Sequence, residues 1–118
     1  MVTITLWGKP SPSYDTCLKA AGGATMDVVM CMGKEEDRLR TLIDKRVAKL
    51  RSCLPPDRRG EVDTLYRAWD EYAQSTCGLY IGASGGTGDK EDAGECGIDT
   101  AGDFAEKLQS LIDIYCTK

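Results

Sequence analysis

Histidine is absent from the 118 residues, and phenylalanine occurs once. Without an imidazole the serine and cysteine triads lose their usual general base, so hydrolysis would need a carboxylate pair or a lysine. Close cysteine pairs are missing too. Structural zinc sites usually draw ligands from cysteines two to four residues apart, completed by cysteine or histidine; here Cys17, Cys31, Cys53, Cys77, Cys96 and Cys116 are widely spread. No apolar run approaches the roughly 20 residues of a membrane span. Positive charge is in deficit, with 15 Lys and Arg against 19 Asp and Glu and a net charge of -4. That balance argues against nucleic acid and anionic membranes and favours a basic partner. Neither a basic start with a long apolar core nor a cleavage site appears in MVTITLWGKPSPSY, so the chain reads as a mature form.

An even number of cysteines, spaced through one small domain, is best explained by three disulfides. Disulfides require an oxidising compartment, which predicts a periplasmic or secreted protein. The competing reading is six buried reduced thiols in a cytosolic protein.

The pattern along the chain predicts an all-α fold, a small disulfide-stapled bundle of three main antiparallel helices plus a short N-terminal helix. Val2, Ile4 and Leu6 alternate with Thr3 and Thr5, as in a strand-like arm, and KPSPS is a proline-rich lead-in. Residues 1–13 therefore form an arm and 14–118 the helical domain. Ser13 is a candidate cap for a short helix through Tyr14, Cys17, Leu18 and Ala21, stopped by Gly22-Gly23. Thr25 is a candidate cap for a long second helix with Met26, Val29, Met30, Leu39, Leu42, Ile43, Val47, Leu50 and Leu54 on its apolar side. Its charges, Glu35 and Glu36 among them, read as a solvated face.

Pro55-Pro56 ends that helix, because proline lacks a backbone donor and displaces the residue before it from helical geometry. A central helix follows, capped by Asp57, with Val62, Leu65, Trp69, Tyr72 and Thr76 as its apolar stripe. Tyr80 and Ile81 add at most a turn, and Gly82 to Glu95, rich in glycine and acid, reads as a loop. Thr100 and Asp103 resemble the start of a capping box for a last helix through Phe104, Leu108, Leu111, Ile112 and Tyr115.

Short connections force antiparallel neighbours, placing Cys53 by the start of the central helix and Cys31 toward its end. If the last helix runs back along the central one, Cys96 comes to Cys77 and Cys116 to Cys53, leaving Cys17 for Cys31. The competing arrangement joins Cys31 to Cys77 and Cys17 to Cys96. A disulfide needs its Cα atoms within about 7 Å, so each scheme depends on the helix course.

Several elements together resemble a known family: Tyr14-Asp15-Thr16-Cys17, Met26 five residues before Cys31, Trp69 eight before Cys77, Gly85-Gly86-Thr87-Gly88, then Cys96 and Leu108. Over roughly residues 14 to 110 the chain is similar to the lysozyme inhibitor LprI-like N-terminal domain family, small exported α-helical domains of bacteria. The family's Leu-Asn-x-x-Tyr-x-x-Leu pattern falls on Ile43 to Leu50 in blurred form, and two of its arginines fall on Ala73 and Phe104. Cys53 and Cys116 look like an addition to its four usual cysteines. The resemblance implies a binding protein rather than an enzyme, with lysozyme inhibition as the activity of some members.

The chemistry of individual residues agrees with binding. Asp70 and Glu71 read as solvated, and Trp69, inside the apolar stripe, reads as core rather than as a sugar-stacking platform. DKEDAG invites a calcium reading, but an EF-hand count from Asp89 puts Ala93 at a ligand position and Thr100 where the bidentate glutamate belongs. SGGTG lacks the lysine of a phosphate loop. No metal or cofactor is expected. The remaining expectation is a loop tethered at Cys77 and Cys96 that carries Asp89, Glu91, Asp92 and Glu95 into the cleft of a basic cell-wall hydrolase such as lysozyme. The alternatives are a periplasmic immunity protein against a cell-wall-degrading toxin and an adaptor domain without inhibitory activity.

Overall fold

The computed structural model describes residues 11–117; the expected strand-like arm lies outside them. Among the described residues there is no strand. The described residues form four α-helices in succession: α1 (Pro12–Ala21), α2 (Thr25–Cys53), α3 (Arg59–Gly78) and α4 (Gly88–Tyr115), with a 3-10 turn at Pro56–Arg58.

α2 and α4 lie side by side and parallel. Met32 sits beside Gly94 and Glu36 beside Gly97. Further along, Arg46 Nη1 donates to the Ala105 carbonyl at 2.7 Å, and Cys53 is bonded to Cys116. α3 runs antiparallel to both, since Pro55-Pro56 reverses the chain within a few residues. Arg51 meets Asp63 at 3.5 Å, Arg40 meets Asp70 at 3.0 Å, and Cys77 is bonded to Cys96. α1 folds back on the start of α2 through Cys17–Cys31. The three bonds are those of the helix-course argument, and no cysteine is free. Leu39, Ile43, Ala101, Ala105 and Leu108 are fully buried between these helices.

Several boundaries differ from expectation. α1 begins at Pro12, two residues before the expected domain boundary, and its cap is Ser11, whose Oγ accepts from Tyr14 N at 3.2 Å. Pro12 suits that first helical position because its missing N–H would have no partner there anyway. Ala24, not Thr25, precedes α2, and Asp57 sits in the 3-10 turn without capping α3. The largest difference is α4, which begins at Gly88, so most of the expected loop is helix. Thr100 lies inside that helix with its hydroxyl turned back to the Cys96 carbonyl at 2.9 Å, a bond that removes the hydroxyl's need for a cap role.

α3 is also rotated from its expected setting. Val62, Trp69 and Ala73 are buried and Tyr66 is half-buried, whereas Leu65 and Tyr72 are exposed. The ring of Trp69 stacks on Phe104 with centroids 4.7 Å apart, Arg40 lies 5.0 Å over it, and its Nε1 donates to the Thr100 carbonyl. Trp69 is core, as its place in the stripe implied.

Glu35 is not part of a solvated face. It is 3 % exposed, and its carboxylate accepts from Ser11 N (2.9 Å), Ser11 Oγ (2.8 Å), Arg38 Nε (3.1 Å) and Arg38 Nη2 (2.7 Å). Burial by itself pushes this carboxyl up, but the hydrogen bonds from Arg38 and Ser11 outweigh it and hold Glu35 below its ordinary value. A group whose pKa is depressed by folding stabilises the fold above its unfolded value, about 4.3. That stabilisation disappears as the pH falls through the lower folded value. Glu35→Gln is therefore expected to flatten the acid side of the stability curve. Melting temperatures recorded from neutral pH down to strong acid check this, and an acid limb identical to wild type would assign the effect to other carboxylates.

Candidate binding surface at the α3–α4 turn

The turn joining α3 to α4 has its neck closed by Cys77–Cys96, with Cα atoms 5.4 Å apart. Beyond Gly78 the chain leaves the helix through tight backbone turns: Tyr80 N donates to the Cys77 carbonyl, Ile81 N to Gly78 and Ala83 N to Tyr80, each at 3.2 Å. Gly82 (φ 84°) and Gly85 (φ 82°) take the left-handed backbone that L side chains avoid, so these two glycines make the reversal possible.

Asp89, in the first turn of α4, holds this reversal from inside. Its carboxylate accepts from Ser84 Oγ at 2.6 Å, Ser84 N at 3.1 Å and Gly85 N at 3.0 Å. The Ser84 hydroxyl is the main reason its carboxyl lies below the ordinary range; burial opposes the shift, and the backbone donors of Ser84, Gly85 and Gly82 add to it. A residue at this helix start also meets the positive end of the helix dipole. Asp89 was expected to meet a partner; it is buried and engaged by its own chain.

The other three expected binding residues sit on the first turns of a helix, not on a projecting loop. Glu91 is half-buried, while Asp92 and Glu95 are exposed. Asp99 and Asp103, both exposed, continue the row at spacings of three and four, so four carboxylates share the solvent side of α4. Ending the expected loop at Glu95 and starting the last helix at Thr100, with Asp103 as a capping residue, split this row in two, although its spacing was visible in the sequence. DKEDAG is helical and so does not form the loop by which an EF-hand wraps its ion. Among the described residues, no three His, Cys, Asp or Glu side chains are grouped to hold a metal.

Apolar residues are the feature that expectation missed. Leu79 is 81 %, Tyr80 44 % and Ile81 56 % exposed, three bulky side chains in succession on a constrained turn. Below them the α3–α4 groove contains two shallow clefts. One, of about 220 Å³, is lined by Trp69, Tyr72, Thr100, Asp103, Phe104 and Lys107. The other, of about 290 Å³, has Leu65, Leu111 and Tyr115 among its walls, with Arg58 at its rim bonded to Glu61 and the Tyr115 hydroxyl.

Among the carboxylates on α3, Asp70 is engaged by its neighbours. Asp70 accepts from Gln74 and from Arg40, and both bonds, Gln74 first, hold it below the ordinary range as a committed anion. No helix is long and apolar enough, among the described residues, to cross a membrane. No family model matches the chain, and no curated protein and no solved structure matches it.

Proposed function

We propose that the protein is an exported binding protein that inhibits a peptidoglycan-cleaving enzyme, a lysozyme in the first instance, by occupying its substrate cleft. The observation that carries this reading is the exposed acidic row of Asp92, Glu95, Asp99 and Asp103 on α4. A row of one sign on a protein of net charge -4 attracts a basic partner and speeds its arrival. Three disulfides suit an oxidising compartment, where such enzymes act. The likeness to the LprI-like domains, carried by the Trp69-to-Cys77 spacing and the glycine turn, supports the same reading.

Lysis of bacterial cells by a basic lysozyme, followed by turbidity, tests it: micromolar protein is expected to slow the clearing. Unchanged lysis would remove lysozyme as the target, and clearing of cell walls by the protein alone would mark it as an enzyme instead. Reversing Asp92, Glu95 and Asp99 to lysine is expected to lower the association rate roughly tenfold at low salt. High salt should shrink the difference, because exposed charges are screened beyond about 10 Å at 0.1 M. Stopped-flow mixing at two salt concentrations reads both effects.

A further inference from the structure

α3 carries more apolar surface than its neighbours cover. Its core side is Val62, Trp69 and Ala73, which leaves Leu65, Tyr72 and Leu79 outside, 38, 61 and 81 % exposed. The three recur every seven residues, close to two helical turns, so they form one row about 21 Å long. Leu79 stands just past the helix end but keeps right-handed backbone angles (φ -70°, ψ -16°), so the row continues through it.

This row forms one bank of the α3–α4 groove. Leu65 shares a cleft with Leu111 and Tyr115, and Tyr72 shares the next with Asp103 and Lys107. On the other bank Asp103, the last residue of the acidic row of α4, lines the cleft beside Lys107, and Tyr80 and Ile81 follow Leu79 on the constrained turn. A contiguous row of exposed apolar side chains beside polar residues is the kind of surface that serves as a contact site.

We propose that this groove and the Leu79–Ile81 turn are the docking face for the basic enzyme, the turn entering its cleft while the acidic bank meets the positive rim. The inference rests on the inhibitor reading and names the surface that reading leaves open. Charge complementarity selects the partner: an apolar ridge beside carboxylates fits a concave, partly apolar site with basic edges better than a second copy, whose own acidic row would repel. Restraint by Cys77–Cys96 and by the Asp89 hydrogen bonds means that little freedom is lost when the turn docks. Tyr72 and Tyr80 are of the residue type enriched in binding hot spots.

The experiment compares two double variants for binding to a basic c-type lysozyme by calorimetry. Tyr72→Ser with Leu79→Ser alters the ridge; Met26→Ser with Met30→Ser alters side chains 62 and 59 % exposed at the start of α2. All four side chains are on the surface, and circular dichroism confirms that both variants stay folded. The ridge variant is expected to raise Kd roughly tenfold or more and the α2 variant less than about twofold. Equal Kd for ridge variant and wild type overturns the inference while leaving the inhibitor reading intact. Loss of wild-type self-association in the ridge variant, seen by sedimentation, also overturns it and assigns the groove to a second copy. Wild-type protein that neither binds nor inhibits the lysozyme removes the inhibitor reading, and the docking face with it.

Discussion

Replacing Cys53 and Cys116 together by serine is expected to lower the unfolding free energy by about 4 kcal/mol, more than opening either of the other bridges. The bond closes a loop of 63 residues, against 14 for Cys17–Cys31 and 19 for Cys77–Cys96. In the chain-entropy account a cross-link stabilises by restricting the unfolded chain, and the restriction grows with the logarithm of the loop; the shorter bridges come to about 3 kcal/mol each. Cys77–Cys96 lies inside the long loop and shortens it when intact, but a logarithm makes that correction small. Urea unfolding of the paired variants checks the ranking. The Cys53/Cys116 variant should also show a larger m-value, because its unfolded chain exposes more surface. Equal losses for all three pairs would mean that native contacts at the bridges outweigh loop length.

Gly97→Leu is expected to cost about 3 kcal/mol, the upper end for forcing bulk into a packed interface. Gly97 is buried where α4 presses on α2, and a Cβ built there lies 3.0 Å from Glu36 Cδ. To make room, the Glu36 carboxylate must leave its 3.1 Å ion pair with Arg40, which also binds Asp70. Gly94 is similar, with Met32 Cβ 3.2 Å from the added atom. Gly33 in α2 is the control: it is exposed, nothing lies within 4 Å, and Gly33→Ala is expected to gain up to about 1 kcal/mol from helix propensity alone. Thermal and urea unfolding read both changes. A Gly97→Leu protein as stable as wild type would contradict close packing of the first half of α4 on α2.

These glycines also explain why the start of α4 was hidden. Glycine costs about 1 kcal/mol relative to alanine inside a helix, so a stretch with Gly88, Gly94 and Gly97 among acids scores as loop on local grounds. Two of them repay that cost by letting α2 approach, a gain visible only with α2 in place. The side of α3 misled for a related reason. Leu65 and Tyr72 are as apolar as Tyr66 and Ala73, so periodicity defines a broad stripe, and the α4 surface around Phe104 decides which part of it is covered. Glu35 sits in a run of charges typical of solvent, and only the return of Ser11 across α2 makes it a buried acceptor.

Helical class, chain reversal at Pro55-Pro56 and the Cys53–Cys116 pair followed from residue order by itself, because they depend on local periodicity, on connections too short to do otherwise and on cysteines placed at helix ends; the other two pairs had a competing arrangement, and the course of the helices decided for Cys17–Cys31 and Cys77–Cys96. Where α4 starts, which residues of α3 stay outside and how Asp89 and Glu35 are engaged were decided by the tertiary structure. Each depends on what a distant segment brings within a few ångströms, and neighbouring residues in the chain carry no record of that.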